Sequence, residues 1–322
     1  MASNFITIDA SKMESIDYAA YLADYFGAMG TETRGATTYY DSEYFAPFGY
    51  YDAGQVGIRY DGSENDAQVL MEGDHMQYDG IVGQHGSYSG SVDSVTFGYY
   101  NDSTTFAQID NVARSTLIGM DKELVVSGLD ISAAVGAGTG ADNVYYQFML
   151  ALRDGNSTTI AEGNTLTNGE LAIQMLYDAF AARGQYFIGS AGDDAYTGTK
   201  FKDKIDGGEG FDTLSGGKGK DVFIFELGDS TNTIEGADII LDFQHGKDRI
   251  NLRGIDANIN KDGDQAFKFI GNNDFTGKAG QLHFERSNGD THISMDVDGD
   301  KVADMMITLD GKIKLTADDF FL

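Results

Sequence analysis

The chain has 322 residues, 41% of them apolar, and carries 51 Asp and Glu against 22 Lys and Arg, a formal net charge of −29. Its size suffices for two ordinary domains or one large one. The acidity excludes a nucleic-acid binder, which must neutralise phosphates with basic groups, and a chain held to anionic lipid by charge. With no cysteine, disulfides, thiol nucleophiles and thiolate metal sites are excluded as well.

The first residues have neither a basic segment nor a long apolar one, so they do not read as a cleaved signal peptide. No apolar run reaches the length of a membrane span. Ser11 and Glu14 have capping-box spacing and predict a helix over 14–29, with Ile16, Ala19, Leu22, Phe26 and Met29 on one face. Residues 30–55 read as a Tyr- and Gly-rich loop. Its Tyr39, Tyr40, Tyr44, Tyr50 and Tyr51 could wall a pocket or form a sticky surface for self-association. Strands are predicted at 56–60, 67–72, 74–79 and 91–98, the last on the alternation of Ser91-Val-Asp-Ser-Val-Thr-Phe97. Helices are predicted at 141–153 and at 169–183, the second with Asn168 as N-cap and Gly184 as its stop.

Composition changes near residue 185. Residues 1–185 hold 16 of the 18 tyrosines but 2 of the 14 lysines. Two domains are expected, 1–185 and 186–322. The first is predicted as α+β, an antiparallel sheet with helices on one side.

The second opens on a repeat of nine residues. Its units begin at Gly189, Gly198, Gly207 and Gly216; Asp recurs at 194, 203, 212 and 221, and a bulky apolar residue at 196, 205, 214 and 223. This is the GGxGxDxUx pattern of a parallel β-roll. Two units make one turn, the glycines permit tight turns, and the Asp places a carboxylate at the same point of every turn. Stacked turns then form oxygen cages of calcium size. Gly189, Gly192, Asp194, Asp203, Gly207, Gly210, Asp212, Gly216, Gly219 and Asp221 are the expected calcium-site residues, with Asp194 paired to Asp212 and Asp203 to Asp221. The second unit departs from the pattern, with Phe201 where a Gly is expected. Without calcium the stacked carboxylates repel, so residues 189–225 are expected to fold only when it binds. Asp242, Asp248, Asp296, Asp298, Asp300 and Asp304 are further candidate ligands. A solvated acidic edge explains the last four equally well.

Residues 186–322 resemble the C-terminal domain of serralysin-type secreted proteins. The resemblance rests on the four repeats, on Ala237-Asp-Ile-Ile-Leu-Asp-Phe243, Gly246-Lys-Asp-Arg-Ile-Asn-Leu252 and Asp296-Val-Asp-Gly-Asp300, and on the tail ending Asp318-Asp-Phe-Phe-Leu322. It implies an all-β, calcium-binding roll with a sandwich-like C-terminal part. It also implies an uncleaved C-terminal signal for a type I ABC exporter and an extracellular location. The protease is not implied, since no His-Glu-x-x-His occurs. His245, His283 and His292 read as surface or turn residues.

Residues 1–180 resemble HasA-type haemophores, small secreted haem-binding proteins. Matching stretches are Ile16-Asp-Tyr-Ala-Ala-Tyr-Leu-Ala-Asp-Tyr-Phe-Gly27, Gln77-Tyr78, Gly90 to Gly98 and Ser127-Gly-Leu-Asp-Ile131. The resemblance places the haem-iron ligand at Tyr78, a hard phenolate suited to Fe(III). It places the histidine that supports that phenolate at His85, with His75 as the alternative. The loop that carries a second ligand in many members reads Ala28-Met-Gly-Thr-Glu-Thr-Arg34 here and has no histidine. Two functions stay open. One is an extracellular carrier of haem b, a binding protein and not an enzyme, exchanging haem with haem proteins and an outer-membrane receptor. The other is a structural or adhesive surface or matrix protein that reuses the haemophore fold without haem.

Overall fold

The computed structural model describes residues 5–27, 36–40, 43–45, 50–60, 67–78, 88–100, 105–109, 112–117, 120–133, 142–154 and 168–322. It divides into two bodies, Met1–Ile6 with Ala20–Ala182 and Thr7–Ala19 with Arg183–Leu322. The division falls between Ala182 and Arg183, with Thr7–Ala19 in the C-terminal body.

In the first body an antiparallel sheet runs in the order Ala36–Tyr40, Tyr50–Arg59, Ala67–Tyr78, Tyr88–Tyr100, Met120–Ala133. Glu43–Phe45 pairs with the second of these strands, and Thr105–Ile109 with Val112–Leu117 forms a separate hairpin. Alternation puts Ile58, Val69 and Phe97 in one cross-strand row, all fully buried. The Phe97 ring is the centre of the core. It lies 5.4 Å from Tyr25 and 6.4 Å from Phe26 of the helix Tyr21–Gly27, and 6.3 Å from Phe180 of the helix Asn168–Phe180. Phe148 of the helix Val144–Asp154 reaches Phe180 at 6.4 Å. The Asn143 carboxamide opens that helix by accepting the Tyr146 N–H at 2.8 Å.

Three expectations are corrected here. The helix expected over 14–29 covers only Tyr21–Gly27, because residues 16–18 are hydrogen-bonded into the other body. The runs 67–72 and 74–79 are one strand, Ala67–Tyr78, whose pairing with Tyr88–Tyr100 keeps a single register on both sides of Gly73. Residues 30–55, read as a loop, contain strands, since tyrosine favours the pleated surface that glycine had obscured.

The second body is built on a parallel roll. One sheet stacks Gln185–Ile188, Lys204–Asp206, Val222–Ile224, Arg249–Asn251 and Phe320–Phe321. The other stacks Ala195–Thr197, Thr213–Ser215, Asp238–Ile240 and Met305–Leu309, then continues antiparallel through Asp290–Asp296 and Gln281–Ser287. Within the repeats the strands are three residues long because the rest of each nine-residue unit is spent on its turn. The repeated apolar residue is the one that points inward. Phe187, Ile205, Phe223, Ile250 and Phe320 form one in-register row, and Tyr196, Leu214, Ile240 and Leu309 the other. Each fully buried side chain contributes about 1.5–3 kcal/mol. His292 does not lie at the surface. It is 1% exposed in the strand Asp290–Asp296, flanked on both sides, with Nδ1 3.1 Å from Thr308 Oγ1.

Candidate metal centre

The repeat aspartates are linked by a backbone ladder. The amide of each donates to Oδ1 of the Asp one turn further on: Asp194 to Asp212 and Asp203 to Asp221 at 2.9 Å, then Asp212 to Asp238 at 2.9 Å and Asp221 to Asp248 at 3.1 Å. All six carboxylates are buried.

The second oxygen divides them. Asp194 Oδ2 accepts the Ser190 N–H at 2.6 Å, and its Oδ1 takes the Ser190 hydroxyl at 2.8 Å. Asp203 Oδ2 likewise accepts the Thr199 N–H at 2.6 Å and the Thr199 hydroxyl at 3.1 Å. Asp248 Oδ2 accepts the Gln244 N–H at 2.8 Å. Asp212, Asp221 and Asp238 have no such donor: the Oδ2 atom of each is buried without a hydrogen-bond partner. For Asp212 and Asp221 the repeat's second position differs: Gly208 and Gly217 take φ +84° and +75°, whereas Ser190 and Thr199 stay out of the left-handed region and keep their N–H on the carboxylate. Close approach at Gly207 completes the cradle, because Asp212 Oδ2 occupies the space a Cβ there would fill.

An ionised carboxylate buried without a counter-charge is costly. Burial, opposed by the Asp194 amide and aided by the charges of Asp238 and Asp194, pushes Asp212 up to about 8. Burial, with the charges of Asp248 and Asp203, lifts Asp221 to about 7, and burial with Asp229 and Asp193 lifts Asp238 to about 7. Orphaned hard oxygens on stacked turns, beside backbone carbonyls, are what a calcium ion requires. The residues fit the ion.

The other candidates divide similarly. Asp242 spends both oxygens on the preceding turn, accepting from Gly216 and Gly217 N–H at 2.8 Å and from the Ser215 hydroxyl at 2.6 Å. Asp296, Asp298 and Asp304 bring oxygens within 4.8 Å of one another, whereas Asp300 stays outside that group. Asp238 escaped the sequence reading because it follows Asp212 by 26 residues instead of 18. Its Asp-x-Ile spacing was the available signal.

Tyr78 ends the strand Ala67–Tyr78, in register with Tyr88 and Tyr51. Its side chain, His85, the Ala28–Arg34 loop and the side chains of Tyr39, Tyr40, Tyr44, Tyr50 and Tyr51 lie outside the described residues. His75, three residues before Tyr78, is exposed at φ +50°. Tyr21 and Tyr25 are unsuited to bind iron. Burial first of all holds both phenols far above their ordinary range, and their hydroxyls donate to Glu123 at 3.2 Å and to the Gly98 carbonyl at 2.8 Å.

The family model for the peptidase M10 serralysin C-terminal domain matches residues 61–322. The chain belongs to this serralysin C-terminal family. Among solved structures it is similar to two crystal forms of the apo haemophore HasA from Yersinia pestis. The hexagonal form is 18% identical, with 54% of this chain and 88% of that one covered and a TM-score of 0.33. The tetragonal form is 21% identical over 46% and 77%, with a TM-score of 0.31. It is also similar to the AlgE6R2 subunit of the Azotobacter vinelandii mannuronan C5-epimerase, 26% identical over 42% and 80%, with a TM-score of 0.30. No curated protein matches it. As expected of a serralysin-type C-terminal domain, the strands of the repeat stack in parallel. Among the described residues no helix is long and apolar enough to cross a membrane.

Proposed function

We propose that this chain is an exported extracellular protein whose C-terminal body folds on calcium and whose N-terminal body carries haem. The observation that carries the calcium reading is the set of three buried, partnerless carboxylate oxygens on Asp212, Asp221 and Asp238. These residues, with backbone carbonyls of the neighbouring turns, would hold the ions. Calcium supplies the charge that lets the stacked carboxylates stay ionised inside the roll. Membership of the serralysin C-terminal family supports the reading of type I export through an ABC channel. Circular dichroism in chelator and in millimolar calcium tests the reading. A gain of β signal on adding calcium is expected; equal signal and equal melting temperature in both would overturn it.

The haem reading rests on the sequence resemblance and on the place of Tyr78 at a strand end. Tyr78 ligates ferric iron, and His85 or His75 supports its phenolate. Haemin titration of the full chain tests this by absorbance. Wild type should develop a tyrosinate charge-transfer band that Tyr78→Phe lacks, because Phe keeps the ring and deletes the oxygen. If wild type leaves the free-haemin spectrum unchanged, the matrix or adhesion reading takes its place, as the histidine-free 28–34 loop suggests.

A further inference from the structure

We infer that Thr7–Ala19 forms an additional first turn of the roll, supplied from outside the repeat. Hydrogen bonds that join one turn of the roll to the next recur in this segment. Ala10 N donates to the Ile188 carbonyl at 2.8 Å, as Gly189 N does to Asp206 at 2.8 Å. Ile16 N donates to Asp194 Oδ1 at 2.7 Å, as Asp194 N does to Asp212 Oδ1 at 2.9 Å. Ala195 N donates to the Ile16 carbonyl at 2.8 Å, as Thr213 N does to Asp194 at 2.8 Å, and Tyr18 N returns to the Ala195 carbonyl at 3.0 Å. Ile16 therefore stands in the slot of the repeat aspartate and Tyr18 in that of the repeat apolar residue. The Tyr18 ring lies 5.5 Å from Tyr196 and 6.4 Å from Phe187. Ile8 and Ile16 are buried.

The substitution of Ile for Asp gives the segment its purpose. A further carboxylate here would need a further counter-charge. Ile16 offers the ladder a final N–H donor and adds none, so the stack of buried carboxylates ends on an apolar side chain. Repeat folds need such terminal caps because an uncapped end exposes core and unpaired strand edges. The inference rests on hydrogen bonds and packing and does not depend on the calcium reading.

Gly192 provides the test. It does not occupy the left-handed region, and the nearest atoms to an added Cβ all belong to the cap, the Glu14 carbonyl oxygen overlapping it. Gly192→Ala should therefore eject the cap, and because Gly192 is itself a repeat residue the later turns are read beside it at Asp212 and Val222. At Gly254→Ala, the control, the added methyl meets only the Glu226 side chain, at 3.5 Å. Hydrogen exchange is followed on the full chain in calcium. The Ala10, Ile16 and Tyr18 amides should be protected in wild type and in Gly254→Ala, and should exchange at least tenfold faster in Gly192→Ala while Asp212 and Val222 hold. Unprotected cap amides in wild type, or unchanged protection in Gly192→Ala, overturn the inference. If Gly192→Ala also releases Asp212 and Val222, Ile16→Pro decides, since it deletes the donor to Asp194 and alters no residue of the repeat. Retained protection of Ala10 and Tyr18 in that variant overturns the inference, and their loss supports it. The same measurement in chelator separates the two ideas. Roll amides equally protected without calcium defeat the calcium reading and leave the cap standing.

Discussion

Asp212→Asn should have opposite effects with and without calcium. The substitution keeps the Oδ1 acceptor for the Asp194 N–H and removes the charge from a carboxylate whose other oxygen has no partner. Holding Asp212 at about 8 against an ordinary 3.8 penalises the folded, calcium-free state by roughly 4 kcal/mol at pH 7, at about 1.4 kcal/mol per pH unit. Asn removes that penalty and leaves an unpaired buried amide, which costs about 1–3 kcal/mol. The calcium-free roll should therefore gain roughly 1–3 kcal/mol. In calcium the variant loses an anionic ligand, and the calcium concentration at half-folding should rise about tenfold or more, at about 1.4 kcal/mol per decade. Both midpoints are read by circular dichroism: trimethylamine N-oxide titrated in chelator, where the osmolyte favours burial, and calcium titrated in buffer. A variant that needs more osmolyte than wild type in chelator would refute the claim that this oxygen awaits a cation.

The same carboxylates set a pH dependence. Burial raises Asp212, Asp221 and Asp238 to about 8, 7 and 7, so the folded calcium-free state binds more protons than the unfolded one. Its stability should be greatest near pH 4 and fall as pH rises toward 8; an osmolyte midpoint constant across that range would count against it. Phe223→Ala removes the centre of an in-register core row and should cost about 3–5 kcal/mol in calcium by urea unfolding; a loss below 1 kcal/mol would mean the row is not packed. Asp319 is buried, which opposes its ionisation. Donors from Gly246 N at 2.9 Å, Thr316 N at 2.7 Å and His245 Nδ1 at 2.8 Å nevertheless hold it below the usual carboxylate range. Asp319→Asn should cost about 1–3 kcal/mol at neutral pH, and the difference from wild type should vanish as acid protonates Asp319.

The period of nine made the roll legible, because each repeat aspartate and apolar residue has one structural duty. It could not show where the period is interrupted. Asp238 carries an orphaned oxygen like that of Asp212, yet the eight extra residues before it hide the match. Nor does the repeat pattern weigh the backbone of its second position, where the Ser190 and Thr199 N–H groups reach an aspartate and the left-handed Gly208 and Gly217 do not. Residues 11–18 misled for a different reason. Ser11 and Glu14 fit a helix start locally, and only a contact 178 residues away, from Ile16 to Asp194, shows that the segment turns against the roll instead. In the first body the helices Val144–Asp154 and Asn168–Phe180 were readable from their apolar spacing, whereas the tyrosine-rich strands carry no period strong enough to separate them from a loop.

That long contact also orders the assembly of the roll in time. Each rung of the ladder inside the repeat closes a loop of 18 residues, as between Asp194 and Asp212, while the rung from Ile16 to Asp194 closes one of 178. Loop-closure entropy makes the longer one dearer by about 2 kcal/mol, and contacts so distant along the chain form slowly. Growth by neighbouring rungs can start wherever two repeats meet and advance one rung at a time. The rung that stands first in space is then the last to close, and until it does the newly grown stack presents an open end at Gln185–Ile188 and Ala195–Thr197.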